Sequence, residues 1–158
     1  MNGYVREAQY CDIPLLVADL RPSDLAEIKA ASRIPVDETL KFGIDEGLCE
    51  VACLPNGVPT AIWGVVPTVF NPDLGLIWMV ATNQFKHLHR QFLRECREGV
   101  ERIGRGYKAV FNYTDARNTV HHRWLKWSGF TIIKEHPNFG VEGRPFYEFV
   151  RPMERHHV

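Results

Sequence analysis

The side chains best suited to chemistry fall in two histidine-containing stretches. His121 and His122, next to Arg123, could act as a catalytic pair; alternatively, one imidazole is solvated and the other packs against Asn112 or Tyr113. A basic cluster earlier in the chain could bind phosphate or nucleic acid, or could be the solvated face of a helix. The members of this basic cluster are His87, His89, Arg90 and Arg94.

Composition limits the classes of partner. The 158 residues carry no net charge, so the overall charge points neither to nucleic acid nor to anionic membranes. The four cysteines lack metal-ligand spacing and are interpreted as reduced core residues. No signal peptide is recognised, and the longest apolar runs have the length of strands, not of membrane spans. We expect one domain over residues 1–158, without a metal site.

The stretch that must position these side chains runs from Gly75 to Phe130. It reads as a strand at 76–81, a helix at 87–103, a strand at 107–113 and a helix at 118–128. Such a unit requires two parallel strands joined by a helix that crosses one face of the sheet. Open sheets bind ligands at the carboxyl ends of parallel strands, so a ligand would lie between 80–82 and 112–115.

The flanking elements complete a mixed α/β fold. The hairpin before Gly75 turns at Asn56-Gly57, where both residues are expected at positive φ. The full order is β-α-α-β-β-β-α-β-α-β-β, which indicates a mixed, mostly antiparallel sheet with one parallel β-α-β unit and helices on both faces. Val120, Trp124 and Trp127 are expected to form the apolar, core-facing stripe of the last helix.

This order of elements resembles the acetyl-CoA-dependent N-acetyltransferase superfamily, known as the GNAT fold. The residue-level match is in the last helix, where the family places an Asn at the start and Gly-Phe after the end. In this sequence these residues are Asn118, Gly129 and Phe130. Asn118 would cap the helix, and Gly129 would end it in the left-handed conformation.

Within that superfamily the chain resembles a branch found among the internal virion proteins of short-tailed phages. The resemblance covers about residues 78–130. It includes Trp78-Met79-Val80-Ala81-Thr82, the basic helix with Phe92, Phe111-Asn112-Tyr113, Asn118-Thr119, His121, Arg123, Leu125 and Gly129. It implies a virion-associated protein whose partners are other virion proteins, located in the virion or in the host cytoplasm.

The superfamily resemblance also implies where acetyl-CoA would bind. Family members hold its pyrophosphate at the start of the helix after the fourth strand, with a motif of Gln or Arg, two residues, Gly, one residue, then Gly or Ala. Here Gln84 takes the first position, and His87 and His89 take the glycine positions. The other residues implied to line the cofactor site are Val80, Ala81, Thr82, Asn112 and Asn118.

The catalytic groups implied by the resemblance are replaced. Leu125 stands where many members carry the Tyr that protonates the thiolate of coenzyme A. The central strand carries no carboxylate, so Glu50 on the hairpin is the substitute general base, with His121 as a second candidate. These departures favour a non-catalytic phage protein of the virion, or of its assembly or ejection, without a cofactor. The alternative is a divergent acetyl-CoA-dependent N-acetyltransferase acting on an amine; a host-directed binding protein also stays open.

Overall fold

The computed structural model describes residues 2–154, which form a seven-stranded sheet with helices on both faces. The strands are β1 (Tyr4–Glu7), β2 (Leu48–Cys53), β3 (Pro59–Pro67), β4 (Leu74–Ala81), β5 (Ala109–Asp115), β6 (Thr131–Phe139) and β7 (Arg144–Pro152). The helices are α1 (Asp12–Val17), α2 (Pro22–Ala31), α3 (Val36–Glu46), α4 (His89–Ile103) and α5 (Thr119–Trp127), and a 3₁₀ helix (Asn83–Leu88) precedes α4.

The strand order across the sheet is β1-β2-β3-β4-β5-β7-β6. Every neighbouring pair is antiparallel except β4 and β5, which run parallel and are joined by α4. This confirms the expected mixed, mostly antiparallel sheet with one parallel β-α-β unit. None of the helices within residues 2–154 is long and apolar enough to cross a membrane.

The alternation of side chains along the strands divides the core into two layers. Val51 of β2 packs in one layer with Leu40 of α3, on the side covered by α1, α2 and α3, which we call the α2 face. Val110 of β5 packs in the other layer with Val100 of α4 and Leu125 of α5, on the side we call the α4 face. The two faces therefore carry different sets of functional side chains.

The turn of the β2–β3 hairpin differs from the expected one. Gly57 has a φ of +90°, but no non-glycine residue in the described part of the chain has a positive φ, so Asn56 does not. The Gly57 N–H donates to the Leu54 carbonyl (2.8 Å), and the Leu54 N–H donates to the Val58 carbonyl (2.9 Å). The loop thus has three residues. Pro55, whose φ is fixed at a negative value, favours a turn without positive φ at residues 55 and 56. Only Gly57 then adopts the left-handed conformation.

The apolar stripe expected on α5 is wrong at two of its three residues. Val120 and Trp127 are exposed, whereas Leu125 is buried and joins α5 to the core. Trp124 is half-buried and stacks on Phe92 of α4, with ring centroids 5.3 Å apart. A helix of nine residues makes only about two and a half turns, so three apolar positions do not fix which side meets the sheet.

The cysteines are free, and three of them are buried as expected: Cys49, Cys53 and Cys96. Burial raises the pKa of Cys49 to about 12, which keeps it a neutral thiol. Cys11 is exposed, contrary to the expectation, because it precedes the short helix α1 as its N-cap residue.

Two helical glycines test how tightly the helices pack on the sheet. A Cβ on Gly43 of α3 would lie 2.3 Å from the Trp78 indole, whereas a Cβ on Gly99 of α4 would meet its nearest neighbour, Arg102, at 3.9 Å. We expect Gly43→Ala to lower the free energy of unfolding by about 1–3 kcal/mol, because the indole must move. Gly99→Ala should raise it by up to about 1 kcal/mol through helix propensity. Urea unfolding of both variants measures this, and a shift of the same sign in the two would contradict it.

Candidate functional site

β4 and β5 separate soon after they begin to pair. Their parallel pairing is limited to residues 74–76 of β4 and 109–111 of β5. β4 continues to Ala81 and β5 to Asp115, and within residues 2–154 no strand pair joins these ends. A wedge-shaped gap therefore opens at the carboxyl ends of the two strands, where open α/β sheets bind ligands.

The register of β3 and β4 shows which backbone groups face this gap. The backbone N–H and C=O of Ala81 point away from β3. The N–H donates to Asp24 of α2, and the C=O accepts the N–H of Arg21, the residue before α2. Trp63 pairs with Met79, and Ala61 pairs with Ala81, in one unshifted register. Alternate residues of an antiparallel strand point the same way, so the N–H and C=O of Met79 also face the gap. Met79 thus presents a backbone donor and acceptor where β5 has moved away.

The start of α2 is attached to the end of β4. Asp24 is buried, and its Oδ2 accepts the Ala81 N–H at 2.9 Å and the Arg21 guanidinium at 2.8 Å and 3.0 Å. The Arg21 N–H in turn donates to the Ala81 carbonyl at 2.9 Å. Arg21 also lies over the Phe85 ring, 6.0 Å from its centroid. These contacts satisfy backbone groups that the loss of pairing with β5 would leave unbonded.

Glu27, one turn further along α2, is attached to the end of β5. Its Oε1 accepts the Thr114 hydroxyl at 2.8 Å and the Asp115 N–H at 2.5 Å. Both bonds end on Oε1, so neither of them uses Oε2. Desolvation raises the pKa of Glu27 to about 7, the charges of Asp24 and Asp115 act in the same direction, and the two hydrogen bonds oppose them. A carboxyl that titrates near neutral pH therefore lies beside the gap.

Asn112 bridges the strands at the point where they part. Its Nδ2 donates to the Ile77 carbonyl at 2.6 Å, and its Oδ1 accepts the Tyr113 N–H at 2.7 Å. Val80, by contrast, is buried in the core of the α2 face. Of these two sequence-predicted residues, Asn112 therefore lies at the gap, whereas the Val80 side chain packs in the core of the α2 face.

The histidine pair lies at the same end of the sheet, on α5. His121 packs against the Trp124 ring, with centroids 5.3 Å apart. Desolvation lowers the pKa of His121 to about 3, and the charges of Arg21 and His122 act in the same direction, so this imidazole is neutral at pH 7. His122 bonds through Nε2 to the Asp115 carbonyl at 2.9 Å and packs against Tyr147. The ring contacts seen for the pair within residues 2–154 are thus with Trp124 and Tyr147, and not with Tyr113.

The segment expected to hold the cofactor phosphates is the 3₁₀ helix. Thr82 begins it, and its hydroxyl accepts the Gln84 N–H at 3.2 Å. Gln84, His87 and His89 are exposed, so their side chains lie at the surface. No glycine occurs between Thr82 and His89, so the backbone here lacks the bare amides of the family motif.

The basic charge of this segment fits a phosphate even though its backbone lacks the glycines. Lys86 and Arg90 are exposed beside the two histidines. Lysine and arginine side chains bind phosphate directly, the first as a point charge and the second as a fork. The Met79 N–H can donate to a carbonyl such as that of an acyl group, and this surface can attract phosphate through side-chain charge.

Two further residues implied by the resemblance are part of the framework. Asn118 is the N-cap residue of α5, and its carbonyl accepts the His122 N–H. Its side chain makes no capping bond, and within the described residues its buried Nδ2 has no partner. Leu125, which stands where the resemblance implies a Tyr, is fully buried in the α4-face core.

Glu50 lies on the opposite side of the sheet from Glu27. Its two carboxylate oxygens accept the Arg102 guanidinium at 3.1 Å and 3.2 Å. Together with Met79 and Trp63, Glu50 lines a cavity of about 530 Å³ between α4 and the strands. Glu50 thus lines the same cavity of the α4 face as Met79, whereas Glu27 adjoins the gap from the α2 face.

Sequence reasoning missed the three residues of α2 that contact the strand ends: Arg21, Asp24 and Glu27. In the sequence they belong to an ordinary helix with one charged side, and their partners are more than fifty residues away. The available signal was the placement of acidic residues in the second helix of the chain, combined with the expected gap. This signal could have identified the residues only if the turn of α2 that contacts the sheet had been known.

The comparisons with known proteins agree with this geometry at the level of the fold. A scan against protein-family models and a search of curated proteins find no match. Among solved structures, the chain is similar to a GCN5-related N-acetyltransferase from Kribbella flavida, with 17% identity, a TM-score of 0.69, and coverage of 96% of this chain and 98% of that chain.

Two further structures share this likeness. The ribosomal-protein-S18-alanine N-acetyltransferase of Escherichia coli has 15% identity and a TM-score of 0.67, with coverage of 99% and 97% of the two chains. The protein yncA of Salmonella typhimurium, solved with its cofactor acetyl-CoA, has 17% identity and a TM-score of 0.69, with coverage of 100% and 98%. The chain therefore has the GNAT fold, as the order of its elements indicated.

The raised pKa of Glu27 makes a prediction for stability. Between pH 4.5, the ordinary pKa of a Glu, and about pH 7, the folded state binds the Glu27 proton more tightly than the unfolded state. This contribution to stability is therefore present below pH 4.5 and is lost as the pH rises through about 7. Relative to Glu27→Gln, the wild type should lose on the order of 2 kcal/mol across that range.

Urea unfolding at a series of pH values measures this difference. His121, whose lowered pKa gives the opposite slope, is present in both proteins and cancels. Glu38→Gln, at an exposed position of α3, is the control and should follow the wild type. Parallel pH curves for wild type and Glu27→Gln would show that Glu27 is not desolvated.

Proposed function

We propose that this protein is an N-acyltransferase that transfers the acyl group of acetyl-CoA, or of a related thioester, to an amine. The observation that carries the proposal is the gap between β4 and β5, with the Met79 backbone facing it and the Glu27 carboxyl beside it. The GNAT fold of the chain and the acetyltransferases among its structural neighbours support this reading.

The cofactor would be held at two places. The Met79 N–H would donate to the acyl carbonyl in the gap, and Lys86, Arg90, His87 and His89 would attract the phosphates at the surface. When bound, acetyl-CoA supplies the thioester carbon that the amine attacks. A backbone donor fixed by strand pairing needs no reorganisation to stabilise negative charge on that carbonyl oxygen.

Glu27 would accept the proton of the amine. Its free oxygen, Oε2, is available while Oε1 stays bonded to Thr114 and to the Asp115 N–H. A carboxyl with a pKa near 7 is half ionised at neutral pH, which suits a general base. Glu50 is a weaker candidate for this role, because the Arg102 guanidinium occupies both of its oxygens.

The departing sulfur does not require a dedicated proton donor. The pKa of a thiol is about 8.5, so a thiolate leaves without prior protonation more readily than an amine or an alkoxide. In the proposed reaction, the bond between the amine nitrogen and the acyl carbon forms, and the C–S bond of the thioester breaks. The bonding electrons leave with sulfur, and the amine proton passes to Glu27. Leu125 then needs no chemical role, and positioning provides the rest of the acceleration.

The virion-associated reading drawn from the sequence finds no support in these comparisons. The structural neighbours named above are acetyltransferases or bind acetyl-CoA, and none of them is described as a virion protein. We therefore prefer the alternative, the amine N-acyltransferase, and treat acetyl-CoA as its cofactor.

Calorimetric titration with acetyl-CoA tests the first requirement of the proposal. We expect saturable binding that is weakened by added salt, because the phosphate contacts rest on exposed cationic side chains. Lys86→Glu combined with Arg90→Glu should weaken binding at least about tenfold, and Lys126→Glu on α5 serves as the control. If the titration shows no heat at millimolar acetyl-CoA, the proposal is wrong.

Glu27→Gln tests the second requirement, a base on α2. Once an amine substrate is found, kcat/KM of Glu27→Gln should be about a hundredfold lower than that of the wild type. The wild-type rate should rise with pH through about 7, and this limb should be missing in the variant. An unchanged pH profile in Glu27→Gln would assign the base elsewhere, whereas Glu38→Gln should leave both rate and profile intact.

A further inference from the structure

The α4 face contains a cavity with a volume of about 530 Å³. It lies between α4 and the strands β1 to β4 and is lined from the sheet by Ala52, Trp63 and Met79. Small residues make this room, because Ala52 and Gly99 project little or no side chain into it. No residue of the proposed proton-transfer group on α2 lines it.

The cavity and the gap between β4 and β5 share residues of β4. Ile77 and Met79, the residues of β4 just beyond its last pair with β5, line the cavity with their side chains. The Met79 backbone faces the gap itself, as the register of β3 and β4 requires. A group whose carbonyl lies at the Met79 N–H would therefore extend directly into the cavity.

The lining changes from apolar near the gap to polar at the far end. Near the gap, Trp124 stacks on Phe92, and Phe92 contacts Phe85 edge-on with centroids 4.9 Å apart. At the far end, Glu50 and Arg102 neutralise each other through two hydrogen bonds, and half of the Arg102 side chain is exposed. The inner part thus suits hydrocarbon or aromatic groups, and the outer part meets water.

We propose that this cavity receives the acyl group, and that the preferred thioester carries a hydrocarbon or aromatic acyl group longer than acetyl. This inference rests on the proposed acyl transfer and specifies its donor. An acetyl methyl would leave most of the cavity unfilled. Each additional methylene buried in an apolar site strengthens binding by about fourfold, so the cavity selects for chain length.

Equilibrium binding of coenzyme A and of its acetyl, butyryl and hexanoyl thioesters tests the inference without an acceptor amine. Trp63 and Trp124 line the cavity, so tryptophan fluorescence reports its occupation, and calorimetry gives an independent affinity. We expect affinity to rise along the series, with hexanoyl-CoA bound at least about tenfold more tightly than acetyl-CoA.

Gly99 provides a matched pair of variants for this experiment. A Cβ there would have only the end of the Arg102 side chain within 4 Å, at 3.9 Å. We therefore expect Gly99→Leu to fill part of the cavity, and Gly99→Ala to have a similar gain in helix propensity with little added volume. Gly99→Leu should remove the rise in affinity with chain length and leave acetyl-CoA binding unchanged. Gly99→Ala should keep the rise.

The outcomes separate the inference from the proposed function. If neither coenzyme A nor any thioester binds, the acyltransferase proposal fails and the inference fails with it. If acetyl-CoA binds and the longer thioesters bind equally or more weakly, the inference alone is overturned. The same conclusion follows if Gly99→Leu, folded as judged by its unfolding curve, keeps the chain-length dependence.

Discussion

β4 and β5 separate after three residue pairs, and the contacts of α2 with the sheet follow from this separation. Two strands that part inside a protein leave backbone N–H and C=O groups that must find other partners. α2 supplies these partners through Asp24 at the end of β4 and Glu27 at the end of β5. The helix thereby keeps the strands apart and places two carboxyl groups at the opening.

This arrangement gives the two faces of the sheet different chemistry. On the α2 face, desolvation and neighbouring charges keep Glu27 titratable near neutral pH. On the α4 face, Trp124, Phe92 and Met79 form an apolar wall beside the same opening. An amine approaching from one face and an acyl group held on the other would meet at the Met79 backbone. One sheet can separate the two sets of side chains in this way because successive residues of a strand point to opposite faces.

Much of the fold was predictable because its signals are local. The order of the strands and the crossover between β4 and β5 follow from periodicity within short segments, whereas β5 runs from 109 to 115 and not from 107 to 113 as expected. The prediction was less successful where tertiary packing chose between similar patterns. Val120 and Trp127 are as apolar as Leu125, yet only Leu125 meets the core. At the β2–β3 hairpin, Pro55 fixed a turn that the Asn-Gly pair alone did not indicate.

From the sequence alone one can read the order of the elements, the GNAT-like topology, the absence of glycine between Thr82 and His89, and Leu125 where the resemblance implies a Tyr. Each of these is a property of residue type and spacing. The three-dimensional structure is needed to see that Glu27 contacts β5, that Glu50 is paired with Arg102, and that a cavity lies under α4. These features join residues far apart in the chain. The pKa of Glu27 and the shape of the cavity depend on burial, which a local sequence pattern does not contain.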